Sequence, residues 1–435
     1  MQAILLTSGH ICGSMGDMKQ SQLFTKTKKE SPADEVSLNA ELLIKAGFIN
    51  KEMAGVYSYL PLGLRVINKI ENIIREEMNA IGGQEVTLAS LQEKATWEPT
   101  DQWDDKNVDI WFKTKLKNDT EVGLAWSHEA VLTKLMKEFI SSYRDLPKYV
   151  YQFQTKFRNE TRAKSGIMRT REFVMKDLYS FCKDEEEHNK FYEKAKEAYK
   201  TIFKRAGIGH LTYLTSASGG VFAKFSHEFQ TITSTGEDTI YVDENKGIAI
   251  NKEVYNDEVI ESLGLSKETL VENRSAEVGN IFTLNTRFSD ALELVYQTES
   301  GDRKSVFMGS YGIGPARLMG TVVEVLSDSK GIIWPESIAP FKVHLLALGE
   351  DGNVHEEADK LYNNLIAQGV EVLFDDRHDV NAGEKFADAD LIGVPYRVVV
   401  SKRSLADGGY EIKKRTEEGG KIVNTDQLLI ELKNV

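Results

Sequence analysis

The sequence has 435 residues, of which 41% are hydrophobic and 28% charged, and its formal net charge is −13. These totals are typical of a globular chain with two or three domains, and the acidic excess argues against indiscriminate nucleic-acid binding. Two cysteines exclude a disulfide framework, and no closely spaced Cys or His pair suggests zinc. No apolar run approaches the roughly 18 residues that cross a bilayer, so we expect a cytoplasmic protein with no membrane partner.

The N-terminal residues 1–17 contain a short apolar patch but lack the basic start of a signal peptide. We interpret them as a disordered extension or an over-early start, with the globular sequence opening at Met18. Pro61 then begins an amphipathic helical pattern that a Gly-Gly pair ends. The segment QEVTLASL follows and reads as a strand, and residues 187–206 predict a second amphipathic helix.

The middle of the chain predicts strands that do not alternate regularly with helices. These segments are KYVYQFQTKF, EFVMKDLYSF, HEFQTI, TIYVD and SVFMGSYG. We therefore expect an α+β fold in which an antiparallel sheet is flanked by helices. Beyond Pro335 and Pro340, strands and helices alternate, which predicts a separate C-terminal α/β domain of about a hundred residues with a mixed sheet.

One short stretch, FRNETRAKSGIMRTREF, collects four arginines and a lysine in an acidic chain. A solvated, charged hairpin is the plain structural interpretation. If the flanking strands pair, Arg158 and Glu160 share one face, and Arg169 and Arg171 do so on the returning strand. Arginine suits phosphate, a carboxylate can accept from an exocyclic amine, and Phe173 can stack on a base. Together these residues suggest ATP.

A second stretch, MGSYGIGPARLMG, places Gly309, Gly312 and Gly314 before a helix that carries Arg317. Glycines let backbone approach a ligand closely, and the start of a helix is electropositive. A single glycine-rich turn of this kind is more often structural. Its combination with the arginine-rich stretch strengthens the prediction of a nucleotide site.

Taken together, these segments resemble the class II aminoacyl-tRNA synthetases and, within them, the bacterial-type prolyl enzymes. FRNE with GIMRTREFVMKDLYSF is similar to motif 2, GSYGIGPAR to motif 3, and GVYSYLPLGLRVINKIENIIREEMNAIGGQEV to motif 1. SHEA resembles the Thr-x-Glu loop, and VLFDDR and GEKFADADLIGVPYRVVVSKRSL resemble the anticodon-binding module. The similarity runs in family order from Met18 to the C-terminus, although Ala89 stands where motif 1 has proline.

The resemblance implies a ligase that uses ATP and Mg²⁺ to activate L-proline and transfers it to tRNA(Pro). It implies that Arg158 holds the α-phosphate, that Glu160 binds the adenine amino group, and that Arg169 reaches the outer phosphates. Phe173 and Arg317 would sandwich the adenine ring. The metal ligands stay unknown. Catalysis is assigned to Arg158 and Arg317, and ATP binding to Arg158, Glu160, Arg169, Thr170, Phe173 and Arg317.

The resemblance also implies a small proline pocket in which Glu129 binds the secondary ammonium. Ser127 stands where threonine is usual and keeps the hydroxyl group. Two other histidines, His188 and His355, are expected on exposed helix faces. The implied proline-binding residues are Ser127, Glu129, Arg158 and His227.

Three residues are implied in tRNA contact. Arg162 would touch the acceptor end, and Arg377 and Lys385 would lie near the anticodon. We expect a catalytic domain over residues 18–333, an anticodon-binding domain over residues 340–435, and a homodimer formed through motif 1.

Residues 239–300 are expected to form a bridging strand and loop in place of the larger editing domain of common bacterial prolyl enzymes. We therefore expect no hydrolysis of Ala-tRNA by this chain, so that errors are corrected by a free-standing trans-editing protein or are tolerated. Two other interpretations stay open. One is a class II synthetase for threonine, histidine or glycine, and the other is a non-catalytic paralogue that binds tRNA or a partner.

Overall fold

The computed structural model describes residues 18–30, 35–161, 163, 165–218 and 225–433. They form two compact units. The larger unit spans Lys29–Ser327, and the C-terminal unit joins Asp328–Val435 with an N-terminal segment that ends at Lys28. Residues 1–17, the expected extension, lie outside the described residues. Within the described ranges, no helix is long and apolar enough to cross a membrane.

The elements are numbered in chain order. The helices are α1 (Leu38–Lys45), α2 (Pro61–Ala80), α3 (Lys94–Trp97), α4 (Glu129–Met136), α5 (Glu185–Arg205), α6 (Asp257–Ser262), α7 (Arg287–Ala291), α8 (Pro315–Val325), α9 (Gly352–Ala367), α10 (Ala382–Ile392), α11 (Lys402–Ala406) and α12 (Thr425–Lys433). The strands are β1 (Met18–Lys19), β2 (Ile49–Met53), β3 (Val56–Tyr59), β4 (Gln84–Glu85), β5 (Leu91–Glu93), β6 (Lys113–Lys115), β7 (Glu121–Leu124), β8 (Lys148–Phe157), β9 (Glu172–Cys182), β10 (Thr212–Ser218), β11 (Phe225–Ile232), β12 (Asp238–Asp243), β13 (Ile248–Asn251), β14 (Val271–Asn285), β15 (Val295–Gln297), β16 (Arg303–Ser305), β17 (Phe307–Ile313), β18 (Ser327–Asp328), β19 (Gly331–Ile332), β20 (Val343–Leu348), β21 (Val372–Asp375), β22 (Tyr396–Ser401), β23 (Tyr410–Lys414) and β24 (Lys421–Val423).

A nine-stranded sheet forms the centre of the larger unit. Its order is β11-β10-β13-β12-β14-β17-β9-β8-β4, and β11 also pairs with β14. Neighbours run antiparallel except in the pairs β10/β13 and β4/β8, which are parallel. The hairpin β8/β9 is in continuous register from Lys148 opposite Phe181 to Phe157 opposite Glu172. The predicted α+β fold with a mainly antiparallel sheet is confirmed.

Local sequence explains where the two long helices of the larger unit begin. Pro61 occupies the first turn of α2, where its missing N–H leaves no helical hydrogen bond unmade. Ile74 and Met78 are buried on the inner face of α2. Asp184 caps α5 because its carboxylate accepts from the Glu187 N–H at 2.9 Å. Both predicted helices are confirmed, with small shifts at their ends.

The strand predicted from QEVTLASL is much shorter in the structure. Gln84 and Glu85 form β4 at the edge of the sheet beside β8, and the Val86 N–H still donates to the Tyr151 carbonyl at 2.8 Å. Further along, the N–H of Leu88 donates to the Gln152 side-chain oxygen at 3.0 Å. Beyond Val86 a side chain of β8 thus replaces the backbone ladder, and the chain leaves the sheet there.

Residues 239–300 contain more regular structure than the expected bridging strand and loop. They supply most of β12, all of β13 and the 15-residue β14 to the nine-stranded sheet. The missed signal is a long stretch in which buried residues recur between exposed ones, as in the VENRSAEVGNIFTLN of β14. The segment is therefore an integral part of the larger unit and does not form a domain of its own.

The C-terminal unit contains a six-stranded mixed sheet of order β1-β21-β20-β22-β23-β24. The first four strands run parallel, and β23 and β24 are antiparallel to their neighbours. Buried Leu345, Val398 and Leu361 pack in its core together with Leu428 of the last helix. The predicted α/β domain with a mixed sheet is confirmed.

The domain boundaries differ from the predicted 18–333 and 340–435 at both ends. The N-terminal segment pairs with the C-terminal unit, because β1 adds to the edge of β21 and the Ser21 hydroxyl donates to Asp376 at 2.7 Å. At the other end, Asp328 accepts from Arg415 at 2.6 Å, which ties residues before 333 to the C-terminal unit. Neither contact has a signal in the local sequence pattern.

Candidate active site

A cavity of about 980 Å³, including its open mouth, lies over the hairpin β8/β9 of the larger unit. Distant parts of the chain line it: the segment before α4, the β8/β9 hairpin with its connecting loop, β14, and β17 with the start of α8. An adjoining cavity of about 690 Å³ shares several of these residues. The predicted site residues that line the first cavity are Ser127, Glu129, Arg158, Glu160, Arg169, Thr170, Phe173 and Arg317.

The two arginines from distant segments face the same cavity. Arg158 donates from Nε to the Trp126 carbonyl at 3.4 Å, and its guanidinium carbon lies 5.2 Å from the centre of the Phe173 ring. Arg317 donates from Nε to the Met168 carbonyl at 2.8 Å. Burial lowers the pKa of Arg158, and the charge of Arg317 lowers it further. Two neighbouring guanidinium groups make this cavity favourable for an anion.

Carboxylates hold the other arginine of the predicted nucleotide site in place. Arg169 donates to Glu160 Oε2 at 2.8 Å and to Glu237 Oε2 at 2.9 Å. Burial opposes the charge, but these hydrogen bonds to Glu160 and Glu237 raise the pKa of Arg169. Arg317 is held in a similar way, since its Nη1 donates to Glu277 Oε2 at 3.1 Å. The arginines are therefore pre-positioned at the cavity wall.

The arginine-rich stretch is a loop and not the continuation of two strands. β8 ends at Phe157 and β9 begins at Glu172, so the predicted alternation does not extend over the residues between them. Arg171 shows the consequence. Its Nε donates to the Glu160 carbonyl at 3.1 Å and its Nη1 to the Ala54 carbonyl, and it is not among the cavity-lining residues.

The glycines of the second stretch serve two purposes. A Cβ at Gly309 would lie 2.5 Å from the ring of His188, so this glycine makes room for a protein side chain. Gly312 and Gly314 line the cavity, as expected for close approach of a ligand.

His188 was expected on an exposed face, and that expectation is wrong. It is fully buried, its Nε2 lies 3.0 Å from the Thr283 hydroxyl, and burial lowers its pKa to about 4.

Glu129 lies in the floor of the cavity and is almost fully buried. The Tyr179 hydroxyl donates to its Oε1 at 3.1 Å, whereas its Oε2 is buried with no hydrogen-bond partner. Burial raises the pKa of Glu129. Hydrogen bonding by the Ser127 side chain and by the Glu129 backbone N–H opposes this shift, the charge of Asp177 adds to it, and the charge of Lys156 opposes it. A buried carboxylate with an unpaired oxygen is suited to a cationic hydrogen-bond donor.

His227 does not join the other predicted proline-binding residues. It lies on β11 and contacts the Tyr192 hydroxyl through Nδ1 at 2.7 Å, but it is not among the residues that line the cavity. Burial lowers its pKa to about 4. The residues between β10 and β11, which come just before it in the chain, lie outside the described ranges.

Two of the three predicted tRNA residues lie in the described part of the chain, and both form hydrogen bonds within the C-terminal unit. Arg162 lies outside the described residues. Lys385 is 2% exposed and donates from Nζ to the Ala347 carbonyl at 2.8 Å. Arg377 donates to both Asp375, at 2.6 Å, and Asp388, at 2.8 Å. This geometry does not support direct RNA contact by Lys385, because its ammonium group is turned into the unit.

Sequence reasoning missed the acidic residues opposite the arginines and a buried ion pair beneath the cavity. Glu237 and Glu277 hold Arg169 and Arg317 through the contacts described above. Lys156 Nζ lies 2.9 Å from Asp177 Oδ2, and both side chains are almost completely buried. A signal existed for this pair, since both lie on the two strands already predicted to form a hairpin, within the segments KYVYQFQTKF and EFVMKDLYSF.

Two protein families match the chain. The family described as tRNA synthetase class II core domain (G, H, P, S and T) matches residues 112–326, and the family described as anticodon binding domain matches residues 342–434. The fold, the arginine-lined cavity and these matches define the chain as a class II aminoacyl-tRNA synthetase.

Similar proteins narrow this class. A proline–tRNA ligase of Rickettsia bellii (strain OSU 85-389) is 36% identical over 423 residues, which cover 94% of this chain and 96% of the relative. A proline–tRNA ligase of Caulobacter vibrioides (strain NA1000 / CB15N) is 35% identical over 424 residues, covering 92% and 95%. The chain belongs to the proline–tRNA ligase family.

A solved structure supports the fold. The Giardia lamblia prolyl-tRNA synthetase in complex with prolyl-adenylate superposes with a TM-score of 0.74. The match covers 89% of this chain and 74% of that chain, at 18% sequence identity.

Proposed function

We propose that this chain activates L-proline with ATP and transfers the prolyl group to tRNA(Pro). The observation that carries the proposal is that Arg158, Arg317 and Glu129, from three distant segments, line one cavity. In the first step a carboxylate oxygen of proline attacks the α-phosphorus of ATP, prolyl-adenylate forms and pyrophosphate leaves. In the second step a ribose hydroxyl at the 3′ end of the tRNA attacks the prolyl carbonyl carbon, and AMP leaves.

The arginines would act on the nucleotide. Attack on the α-phosphorus builds negative charge in the transition state, and fixed guanidinium groups stabilise that charge without reorganisation. Arg158 is assigned to the α-phosphate, and Arg169 to the outer phosphates. Phe173 and Arg317 would hold the adenine ring between them. Both bonds from Arg169 to Glu160 end at Oε2, which leaves Oε1 for the adenine amino group, and Thr170 would complete this wall.

The floor of the cavity would hold the amino acid. Glu129 is assigned to the secondary ammonium because its Oε2 is buried and unpaired. Ser127 lies beside it and would add a hydroxyl group. His227 is retained as a proposed pocket residue; its ring contacts the Tyr192 hydroxyl, and neither residue is among those that line the cavity.

Mg²⁺ would accompany the triphosphate and neutralise part of its charge. In the described residues, no cluster of three or more His, Cys, Asp or Glu side chains is arranged to hold a metal ion. This fits Mg²⁺, which usually takes one or two carboxylates together with substrate phosphates. Glu277 and Asp238 line the adjoining cavity, and the pKa of Asp238 is raised by burial and by the charge of Glu277. Asp238 would supply a carboxylate to Mg²⁺, because both oxygens of Glu277 already accept hydrogen bonds, from Asn280 and from Arg317.

Three further proposals concern partners and location. A homodimer would form through motif 1, since β4 is the outermost strand of its sheet and both of its residues are exposed. Arg162 would contact the acceptor end of the tRNA, and Arg377 and Lys385 would shape the surface that meets the anticodon. The enzyme would act in the cytoplasm. Sedimentation equilibrium tests the dimer.

The chain would not remove alanine from mischarged tRNA. Residues 239–300 are strands and helices of the larger unit. The Rickettsia bellii relative is 96% covered by 423 aligned residues, so it has no room for an inserted editing domain either. Correction by a free-standing trans-editing protein is the proposed alternative to tolerated errors. Rapid release of alanine from preformed Ala-tRNA(Pro) by the pure protein would contradict this.

The deciding experiment is ATP–pyrophosphate exchange with each of the 20 amino acids. We expect exchange with proline. Exchange with threonine, histidine or glycine in place of proline would indicate another class II synthetase, and no exchange at all would indicate a non-catalytic paralogue.

A further inference from the structure

Two carboxylate oxygens in the cavity wall are buried without a hydrogen-bond partner. Within the described residues, the lining oxygens of this kind are Glu129 Oε2 and Asp177 Oδ1. Each of these residues is 3% exposed. An unpaired acceptor in such a place is costly unless a ligand supplies the donor. Glu129 is already assigned to the substrate ammonium, whereas Asp177 has no role in the proposed function.

The two carboxylate oxygens of Asp177 differ, because Oδ2 accepts hydrogen bonds from the protein and Oδ1 accepts none. Asp177 lies on β9 directly opposite Gln152 of β8. The Gln152 amide donates to Oδ2 at 2.9 Å, and the Lys156 ammonium donates to the same oxygen at 2.9 Å. Because both donors converge on Oδ2, the carboxylate cannot rotate freely, and Oδ1 stays unpaired.

Lys156 is itself held by a neutral histidine. Its Nζ contacts Nδ1 of His128, whose Nε2 lies 3.2 Å from the Ala89 carbonyl. The carbonyl requires a proton on Nε2, so Nδ1 is an acceptor for the ammonium. Burial, and then the charge of Lys156, lower the pKa of His128 to about 4, which keeps the ring neutral near pH 7. The chain from His128 through Lys156 to Asp177 is therefore fixed.

The Tyr179 hydroxyl joins the two acids. It donates to Glu129 Oε1 at 3.1 Å, and it lies on the same strand and face as Asp177, two residues away. Burial raises the pKa of Tyr179, and the charges of Asp177 and Glu129 raise it further. The two unpaired oxygens thus belong to one small region of the cavity floor.

We infer that Asp177 is the second acceptor for the amino acid substrate, so that its Oδ1 and Glu129 Oε2 each receive one N–H of the secondary ammonium. Lys156 is a positioning residue that holds Asp177 through Oδ2. This inference rests on the proposed function and extends it to specificity. The ammonium of proline has two N–H donors, which matches the two unpaired carboxylate oxygens, whereas a primary ammonium has a third donor for which neither of these oxygens is left.

The first test compares Asp177→Asn with the wild type in proline-dependent exchange. Lys156 and Gln152 would keep the amide oxygen on their side, so the amide NH₂ would face the substrate ammonium. We expect the KM for proline to rise about 10- to 100-fold, the range for losing a hydrogen bond to a charged group, with the KM for ATP unchanged. Asp243→Asn is the matched control: it removes another buried acid of the same sheet, which accepts from Thr269 at 2.7 Å, and the KM for proline should stay the same.

A second variant separates substrate binding from a purely structural role. Lys156→Met with Asp177→Leu removes the buried pair as a unit, which proteins often tolerate without loss of stability. If Asp177 only neutralises Lys156, the double variant recovers the wild-type KM for proline, and the inference is overturned. We expect the KM to stay raised while the melting temperature is kept. An unchanged KM in Asp177→Asn also overturns the inference, whereas a wild type without proline-dependent exchange overturns the proposed function itself.

Discussion

The two units differ in whether the hydrogen bonds of their buried and partly buried charges are completed within the protein. In the larger unit, Arg158 and Arg317 face a cavity, and the unpaired oxygens of Glu129 and Asp177 lie at its floor. In the C-terminal unit, the Arg377 guanidinium donates three hydrogen bonds, to both oxygens of Asp375 and to Asp388.

This difference separates groups that are available to a ligand from groups that hold the fold. A buried charge whose hydrogen bonds are all made within its own unit has nothing left to offer a substrate. A buried carboxylate with one unpaired oxygen can still accept a hydrogen bond from a ligand, which would be favourable. By this criterion Glu129 is available to a ligand, whereas the hydrogen bonds of Arg377 are made within its own unit, although the sequence motifs assigned a ligand to both.

The largest expected effect is the loss of activity in Arg158→Ala. Removing one fixed donor to the charge that develops in a transition state typically lowers the rate about 10²- to 10³-fold. We expect a fall of this size in the rate of prolyl-adenylate formation, measured under single-turnover conditions. Arg144→Ala removes an exposed arginine outside the cavity and is the control. Equal activity of the two variants would contradict the role given to Arg158.

The second prediction addresses Arg377 in the C-terminal unit. Its removal leaves the carboxylates of Asp375 and Asp388 buried with less compensation, so Arg377→Ala should lower the free energy of unfolding of that unit by about 3 kcal/mol. Chemical denaturation with hydrogen exchange measures the loss. Exposed Arg403→Ala is the control, and its side chain is 93% exposed. If Arg377→Ala were as stable as the wild type but charged tRNA poorly, Arg377 would be a direct RNA contact.

The third prediction is a steeper acid destabilisation of the larger unit. Buried His128, His188 and His227 in the larger unit and His344 in the C-terminal unit each have a pKa lowered to about 4, chiefly by burial. Because the unfolded value is about 6.5, the unfolded chain binds more protons between these limits. The stabilisation is fully present above pH 6.5 and is lost as the pH falls towards 4, by about 1.4 kcal/mol per pH unit for each histidine at most.

Hydrogen exchange, corrected for its intrinsic pH dependence, measures this for each unit at pH 6.5 and 5.5. Glu228 of the larger unit, whose pKa is raised to about 8 chiefly by burial, takes up a proton on folding in this range and offsets about one histidine. Protection should still fall more in the larger unit, because its three histidines outweigh this one group. His344→Gln should flatten the pH dependence of the C-terminal unit, since glutamine can still donate to Gln20, whose side-chain oxygen lies 3.0 Å from the ring. Equal slopes in the two units would show that these histidines do not govern acid stability.

Much of the fold and many of the residues that line the cavity could be predicted from the sequence. The helix over Pro61–Ala80 and the hairpin strands ending at Phe157 and beginning at Glu172 follow from apolar periodicity and local helix signals. The convergence of Arg158 and Arg317 followed only from the resemblance, because nothing in either segment specifies that β17 pairs with β9. Periodicity gives local elements, and long-range pairing needs further information.

The features that the sequence did not reveal depend on long-range contacts. His188 looks exposed on a charged helix, yet Gly309 on β17 leaves the space that buries it. Lys385 looks like a surface lysine of α10, yet its ammonium reaches the Ala347 carbonyl at the end of β20. Asp177 lies within the predicted strand EFVMKDLYSF, but its unpaired oxygen is revealed only by the structure, in which Lys156 and Gln152 both donate to the other oxygen.

The smallest expected effect concerns the number of donors on the substrate amine. N-methyl-L-alanine and L-2-aminobutyrate are isomers, so they have equal numbers of carbon atoms to bury, but their ammonium groups carry two and three N–H donors respectively. If two acceptors receive the ammonium, the third donor of aminobutyrate is buried without a partner, which costs about 1–3 kcal/mol. Exchange with wild-type protein should therefore favour N-methylalanine by about tenfold or more in kcat/KM. A preference for aminobutyrate would show that the cavity selects by shape alone and that selection does not depend, through Asp177, on the number of N–H donors of the amine.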